Sequence, residues 1–245
     1  MSGGAPAPKT HNTMPRHLDQ DLAELREKLL TMAAHAERAV ALAVQALVNR
    51  DEKLARQVRE SDNILDQFEV ELDELCVTLL ALKAPLASDL RLITMAMKIS
   101  QNLERVGDEA TKIAKRALDL LNEAPLKPLV DILRLATLAT EMLRQALDAF
   151  VRGDAQLARQ IVTRDAEVDA LNQHVHGELV GFMMADPHTI TRCLNLMVVS
   201  KSLERIADHA TNVAEDIVFL LEGRDIRHTA KHSRGLNPPG DTKLT

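Results

Sequence analysis

The chain has 245 residues, 46% hydrophobic and 27% charged, with a net charge of -6; it can bury a substantial core, and its sign opposes nucleic acid or an anionic membrane surface as the main partner. Four Phe and no Tyr or Trp remove base-stacking platforms and disfavour strands, whereas abundant Leu and Ala favour helix. Cys76 and Cys193 form no CxxC or framework spacing, which points to a reducing, intracellular compartment rather than a secreted one and to two small buried hydrophobes, and no apolar run reaches the length of a membrane span.

Residues 1–16 are Gly/Pro-rich and lack an apolar h-region, so they are expected to form a disordered N-terminal extension rather than a signal peptide. Helical periodicity begins at His17 and runs to Val48, stopping near Asn49-Arg50-Asp51. A second helix is expected from Glu52 to Leu82, and a third from Ser88 to Leu121, with Ser88 as N-cap and Asp89 in the first turn. Pro125 and Pro128 interrupt the pattern and set a linker over residues 123–127. The fourth helix ends at Val151 before Arg152-Gly153-Asp154, the fifth reaches Ala185 before Asp186-Pro187, and the sixth runs from Thr189 to Gly223. The polar stretch over residues 224–245, with Pro238-Pro239, reads as a flexible tail. The expected fold is all-α: two tandem antiparallel three-helix bundles, residues 17–122 and 128–223, related by internal duplication and a pseudo-twofold. Helices of roughly thirty residues are about 45 Å long, so the molecule should be elongated.

The duplication is written in the sequence. Leu103-Glu104-Arg105-Val106-Gly107-Asp108-Glu109-Ala110-Thr111-Lys112-Ile113-Ala114 returns one hundred residues later as Leu203-Glu204-Arg205-Ile206-Ala207-Asp208-His209-Ala210-Thr211-Asn212-Val213-Ala214. On the preceding helices, Leu54-Ala55-Arg56-Gln57 matches Leu157-Ala158-Arg159-Gln160, and Asp62 and Asp66 match Asp165 and Asp169, now 103 residues apart. The change of offset falls in the turns at Pro85 and Pro187, where insertions are tolerated.

Both copies carry carboxylates four residues apart, and hence on one helix face. The second helix has an apolar seam at Val58, Leu65, Phe68, Leu72, Leu75, Leu79 and Leu82, and beside it an acidic row of Asp62, Asp66, Glu69 and Asp73. The fifth helix repeats the row as Asp165, Asp169, Asn172 and His176. Glu104 and Asp108 lie roughly 100–140° from a seam centred on Leu103, and Glu204 and Asp208 lie at the same angle in the second copy. The rows are therefore expected beside two separate hydrophobic interiors, facing each other wherever the two helices of a half are neighbours. At an effective dielectric near 20, two carboxylates about 6 Å apart repel by roughly 3 kcal/mol. A convergent set needs protons, basic neighbours or a cation, and oxygen donors suit hard ions such as magnesium, manganese or iron. The same rows also read as a solvated face carrying ion pairs, for example Asp108 with Lys112.

His174 and His188 are read as surface residues, and His35 as a minor candidate. No histidine follows a Glu by three positions, and there is no Gly-rich phosphate loop, Gly-x-Ser-x-Gly or Cys/His nucleophile pair. The pattern favours a binding or regulatory protein over an enzyme.

From Leu18 to His228 the chain resembles the PhoU family of phosphate-transport-associated regulators. The carriers are Ala87-Ser88-Asp89-Leu90-Arg91, the two copies Leu103–Asp108 and Leu203–Asp208, and Gly223-Arg224-Asp225-Ile226-Arg227-His228. The resemblance implies a cytoplasmic, often dimeric, non-enzymatic protein that regulates the phosphate regulon negatively. It also implies two partners, the ATPase subunit of a phosphate ABC transporter and a membrane sensor histidine kinase. Some members bind iron or zinc clusters through Glu/Asp-x-x-x-Asp motifs. Carried over, those motifs are Glu104/Asp108 and Glu204/Asp208, with Asp62/Asp66 and Asp165/Asp169 as partners. Ala207 stands where the family has Gly, and Asn172 and His176 make the two sites unequal. The alternative function is a carboxylate-rich metal-binding or metal-dependent hydrolytic protein on the same rows.

Overall fold

The computed structural model describes residues 17–126 and 129–226. The N-terminal extension expected over residues 1–16, and the expected tail from residue 227 onward, lie outside the described residues. Among the described residues seven α-helices follow one another: α1 (His17–Asn49), α2 (Glu52–Glu60), α3 (Asn63–Lys83), α4 (Ala87–Leu120), α5 (Val130–Arg152), α6 (Ala155–Ala185) and α7 (Ile190–Glu222), with a 3₁₀ turn at Pro187–Thr189. No strand occurs among the described residues.

The duplicated turns use duplicated chemistry. Asp51 accepts hydrogen bonds from the backbone N–H of Lys53 and Leu54 to start α2, and Asp154, 103 positions on, accepts from Leu157 N–H to start α6. Just before each cap the chain turns through the left-handed region, at Gly153 (φ 64°) and at its counterpart Arg50 (φ 54°). A side chain is strained there. Arg50 uses its guanidinium to close the end of α4, donating to the carbonyls of Leu120, Leu121 and Glu123 at 2.7–2.8 Å.

Two expected helix boundaries are corrected. The helix expected from Glu52 to Leu82 is broken at Ser61-Asp62 into α2 and α3, while its counterpart α6 is continuous. Ser61 Oγ donates back to the carbonyls of Gln57 and Val58, competing with the helical ladder, whereas the matching residue in α6 is Arg164, a good helix former. Ser88 is not the N-cap of α4: the helix starts at Ala87 behind Leu86, which has no capping side chain.

The packing obeys the pseudo-twofold. α1 and α3 pack on α4 as α5 and α6 pack on α7, and the axis runs where α4 meets α7 and α1 meets α5. The buried residues of α1 and α5 stand in one register, Met32 with Leu135, Ala36 with Ala139, Val40 with Leu143 and Ala43 with Ala146. The two interiors expected to be separate are one continuous core. On α4 the reason is a second buried strip, Ile99, Val106 and Ile113, which at about 100° per residue lies roughly 40–80° from Leu103 on the side away from Glu104. This strip borders Asn102 and Glu109, whose side chains reach α7. Leu103 and Leu203 are fully buried, and Cys76 and Cys193 are buried free thiols. Leu82, placed on the apolar seam from sequence, is 74% exposed at the end of α3.

Candidate functional site

In the first half α3 and α4 are neighbours, and their acid rows meet. Asp62 Oδ1 accepts a hydrogen bond from Thr111 Oγ1 at 2.8 Å, which pins the start of α3 to α4. Glu104 titrates above the usual carboxylate range because burial disfavours its charge and because Asp108, Glu69 and Asp66 repel it. Asp108 is raised as well, first by burial, with Asp62 and Asp66 adding repulsion and Lys112 and Arg105 opposing it. Glu69 joins the same set: burial raises it, and Asp73, Asp66 and Asp108 reinforce the shift. Asp62, Asp66, Glu69, Glu104 and Asp108 therefore feel one another across the two helices. Arg105 is the basic group over them, 3.4 Å from Glu104 and 3.9 Å from Asp108.

The second half repeats the set on α6 and α7. Thr211 Oγ1 donates to Asp165 Oδ1 at 3.4 Å, the counterpart of the Thr111–Asp62 bond. Asp208 is pushed up to about 6, by burial first and then by Glu204, Asp165 and Asp169, with Lys201 opposing. Glu204 is only 8% exposed and pairs with Lys201, whose Nζ lies 2.6 Å from Oε1. Asn172, also buried, accepts from Ser200. The second ledge is the more enclosed of the two.

Between the ledges runs a polar seam across the pseudo-twofold. Glu109, 4% exposed, bonds Ser202, and the matching His209 bonds Asn102 at 3.0 Å. Hydrogen bonds from Lys112, Ser202 and Arg205 overcome Glu109's burial and hold its pKa below the usual range. Burial depresses His209, and nearby Arg105, Arg205 and Lys112 add to that. Sequence reading passed over this seam: residues 109 and 209 look like drift within a repeat until α4 and α7 are placed side by side.

All eight carboxylates singled out from sequence thus fall on two ledges, Asp62, Asp66, Glu104 and Asp108 on one and Asp165, Asp169, Glu204 and Asp208 on the other. The donor set suits a hard cation. Each ledge gathers carboxylates that repel one another, a repulsion a bound ion would relieve, but no three of their ligand atoms come within 4.8 Å of one another. At the far end of each row a matched pair of buried atoms, Asp73 Oδ1 and His176 Nε2, has no hydrogen-bond partner within the protein. The ion pair suggested between Asp108 and Lys112 gives way to a Lys112–Glu109 contact at 2.9 Å. His35 packs on Phe68, with ring centroids 5.4 Å apart.

The sequence profile of the PhoU domain matches the chain twice, over residues 29–117 and 132–217, one match to each half of the repeat. The phosphate-specific transport system accessory protein PhoU homolog of Pseudomonas aeruginosa is 42% identical over 222 residues, 89% of this chain and 92% of that protein. PhoU of Escherichia coli K12 is 36% identical over 208 residues, 85% of this chain and 86% of its own length. Among solved structures, PhoU from P. aeruginosa superposes with a TM-score of 0.83 at 42% identity, covering 85% of this chain and all of that one. The phosphate transport system regulatory protein PhoU from Streptococcus pneumoniae superposes with a TM-score of 0.80 at 28% identity, covering 86% of this chain and 99% of that one.

Proposed function

The chain belongs to the PhoU family, and on that premise we propose that it is a cytoplasmic, non-catalytic regulatory adaptor of phosphate uptake. In this reading it works as a homodimer and links the ATPase subunit of a phosphate ABC transporter to a sensor histidine kinase of the phosphate regulon. The observation that carries the reading is the double match to the PhoU domain in a chain that covers most of the length of its accessory-protein relatives. Two further features support it. Among the described residues no helix is long and apolar enough to cross a membrane. The turns joining α3 to α4 and α6 to α7 both expose apolar side chains, Leu82, Leu86 and Leu90 in one half and Met184, Ile190 and Leu194 in the other, a duplicated surface for other proteins. Affinity capture of the full chain from phosphate-replete cells should recover both the transporter ATPase and the kinase. Recovery of neither overturns the adaptor reading.

The ledges complete the proposal as cation sites for iron, zinc, manganese or magnesium, held by Glu104, Asp108, Asp62 and Asp66 on one side and by Glu204, Asp208, Asp165 and Asp169 on the other. A bound cation would neutralise the carboxylates and draw α3 to α4 and α6 to α7. Elemental analysis of the purified chain should show metal that falls when Glu104→Gln and Asp108→Asn are combined, with helicity by circular dichroism unchanged. Unfolding of that variant would make the rows structural instead.

A hydrolytic role is the second reading, favoured by Asp208, whose pKa of about 6 suits a proton-transfer group near neutral pH. Metal-dependent phosphatase turnover abolished by Asp208→Asn would replace the adaptor with an enzyme.

A further inference from the structure

We propose that Asp131, His174 and Glu178 form a binding site for a divalent first-row transition metal, zinc being the probe of choice, separate from the acid ledges and independent of the adaptor reading. One ligand atom from each of the three side chains lies within 4.8 Å of the other two. Asp131 stands in the first turn of α5. His174 and Glu178 are four apart on α6 and so share one face.

The other half of the repeat shows what the fold holds at this place. With the 103-residue register that aligns the buried faces of α1 and α5, Asp131 corresponds to Lys28, His174 to Glu71 and Glu178 to Leu75. In the first half the Lys28 ammonium lies 3.1 Å from Glu71, so the position is occupied by a cation supplied by the chain itself. In the second half an acid replaces that ammonium, an imidazole replaces its carboxylate, and a second carboxylate replaces a leucine. The place where one half seats its own cation carries three lone-pair donors in the other. Ordinary helix chemistry accounts for an acid in the first turn of α5 and for a His/Glu pair along α6. Asp131 and Glu178 each already make a polar contact within the protein, which a bound metal would share or displace.

The donor set selects the metal. An imidazole nitrogen among carboxylates favours zinc and its neighbours in the first transition row over magnesium or calcium. Three protein ligands leave the fourth position of a tetrahedral ion to water or another ligand. Zinc–ligand bonds are roughly 2.0–2.2 Å, so the triad has to tighten onto the ion, which the exposed His174 side chain is free to do. Because Asp131 follows directly on the linker, metal bound here would tie the entry of the second half to α6.

The experiment is a calorimetric zinc titration of the full, EDTA-stripped chain carrying Glu104→Gln, Asp108→Asn, Glu204→Gln and Asp208→Asn, so that each ledge loses two of its four named carboxylates. One zinc should still bind, excess magnesium should not displace it, and adding His174→Ala, Asp131→Asn or Glu178→Gln should weaken it at least tenfold. No zinc binding by this chain in its folded state, or binding unchanged by His174→Ala, overturns the proposal. If the ledge variant does not fold, the wild-type chain answers the same question by nitrogen NMR of its histidine rings: zinc must shift a resonance that His174→Ala removes, and a His174 resonance indifferent to zinc overturns the site.

Discussion

In the first half Arg105 lies over Glu104 and Asp108, whereas its counterpart Arg205 pairs across the pseudo-twofold with Glu109 at 3.2 Å. The two arginines occupy the same place in the same motif, and what separates them is the residue each meets on the opposite helix. Arg205 meets a carboxylate. Arg105 would meet His209, which cannot attract it and which it pushes toward the neutral form. The ledge that keeps its arginine remains open, and the ledge that loses it is served by Lys201, where the first copy has Gln101. A repeat therefore fixes where acids stand, while the partner helix decides which base attends them.

The symmetric part of this comparison carries the largest expected effect. Leu103→Ala and Leu203→Ala remove side chains with no exposure and should each cost about 2–5 kcal/mol in denaturant unfolding. A large inequality between them would show that the halves are not equivalent inside. The asymmetric part is tested by Glu109→Gln, expected to cost about 1–3 kcal/mol at neutral pH because it strips the charge from a buried group bonded to Arg205, Lys112 and Ser202. His209→Gln should cost less, since His209 is already held neutral.

A smaller effect links two substitutions. A Cβ on Gly107 would sit 2.3 Å from Leu65 Cδ1, yet the second copy has Ala207, and opposite it Val168 in place of Leu65. Gly107→Ala and Leu65→Val should be non-additive by about 1 kcal/mol, each easing the other. Additive costs would mean that the two positions accommodate change separately.

The smallest effect is in pH. Asp208 has a folded pKa raised to about 6 from 3.8, so between those values the folded chain holds a proton that the unfolded chain has released. Its contribution to stability is present at low pH and lost as pH rises through about 6. Thermal unfolding of metal-free wild type and Asp208→Asn should therefore diverge between about pH 4 and 6 and run parallel above that, the variant gaining relative to wild type as pH rises through the window. A constant difference would place Asp208 outside the electrostatics of its ledge.

The helices and the acid rows were legible because both rest on local spacing: a carboxylate at i and i+4 needs no knowledge of the partner helix to be placed on a face. The break at Ser61-Asp62 was not, since neither residue is a strong helix breaker, and Asp62 is drawn out of a capping role by Thr111 on a distant helix. The single core is not legible because Ile99, Val106 and Ile113 read as the broad edge of one seam until α7 is seen to cover α4. His174 was passed over for a related reason. Its i+4 partner Glu178 was in plain view, but the third member, Asp131, belongs to the neighbouring helix.

The reciprocal contacts of Glu109 with Ser202 and of Asn102 with His209 have the form of a dimer's twofold interface recorded in one polypeptide. In a true homodimer a single gene supplies both sides of the axis, so a change on one side is forced on the other. Once the halves are joined head to tail, each side mutates alone, and an acid on one helix can face an imidazole that a symmetric ancestor had to match. Covalent linkage thereby frees this axis from self-complementarity, and the unlike characters of residues 109 and 209 are what that freedom permits.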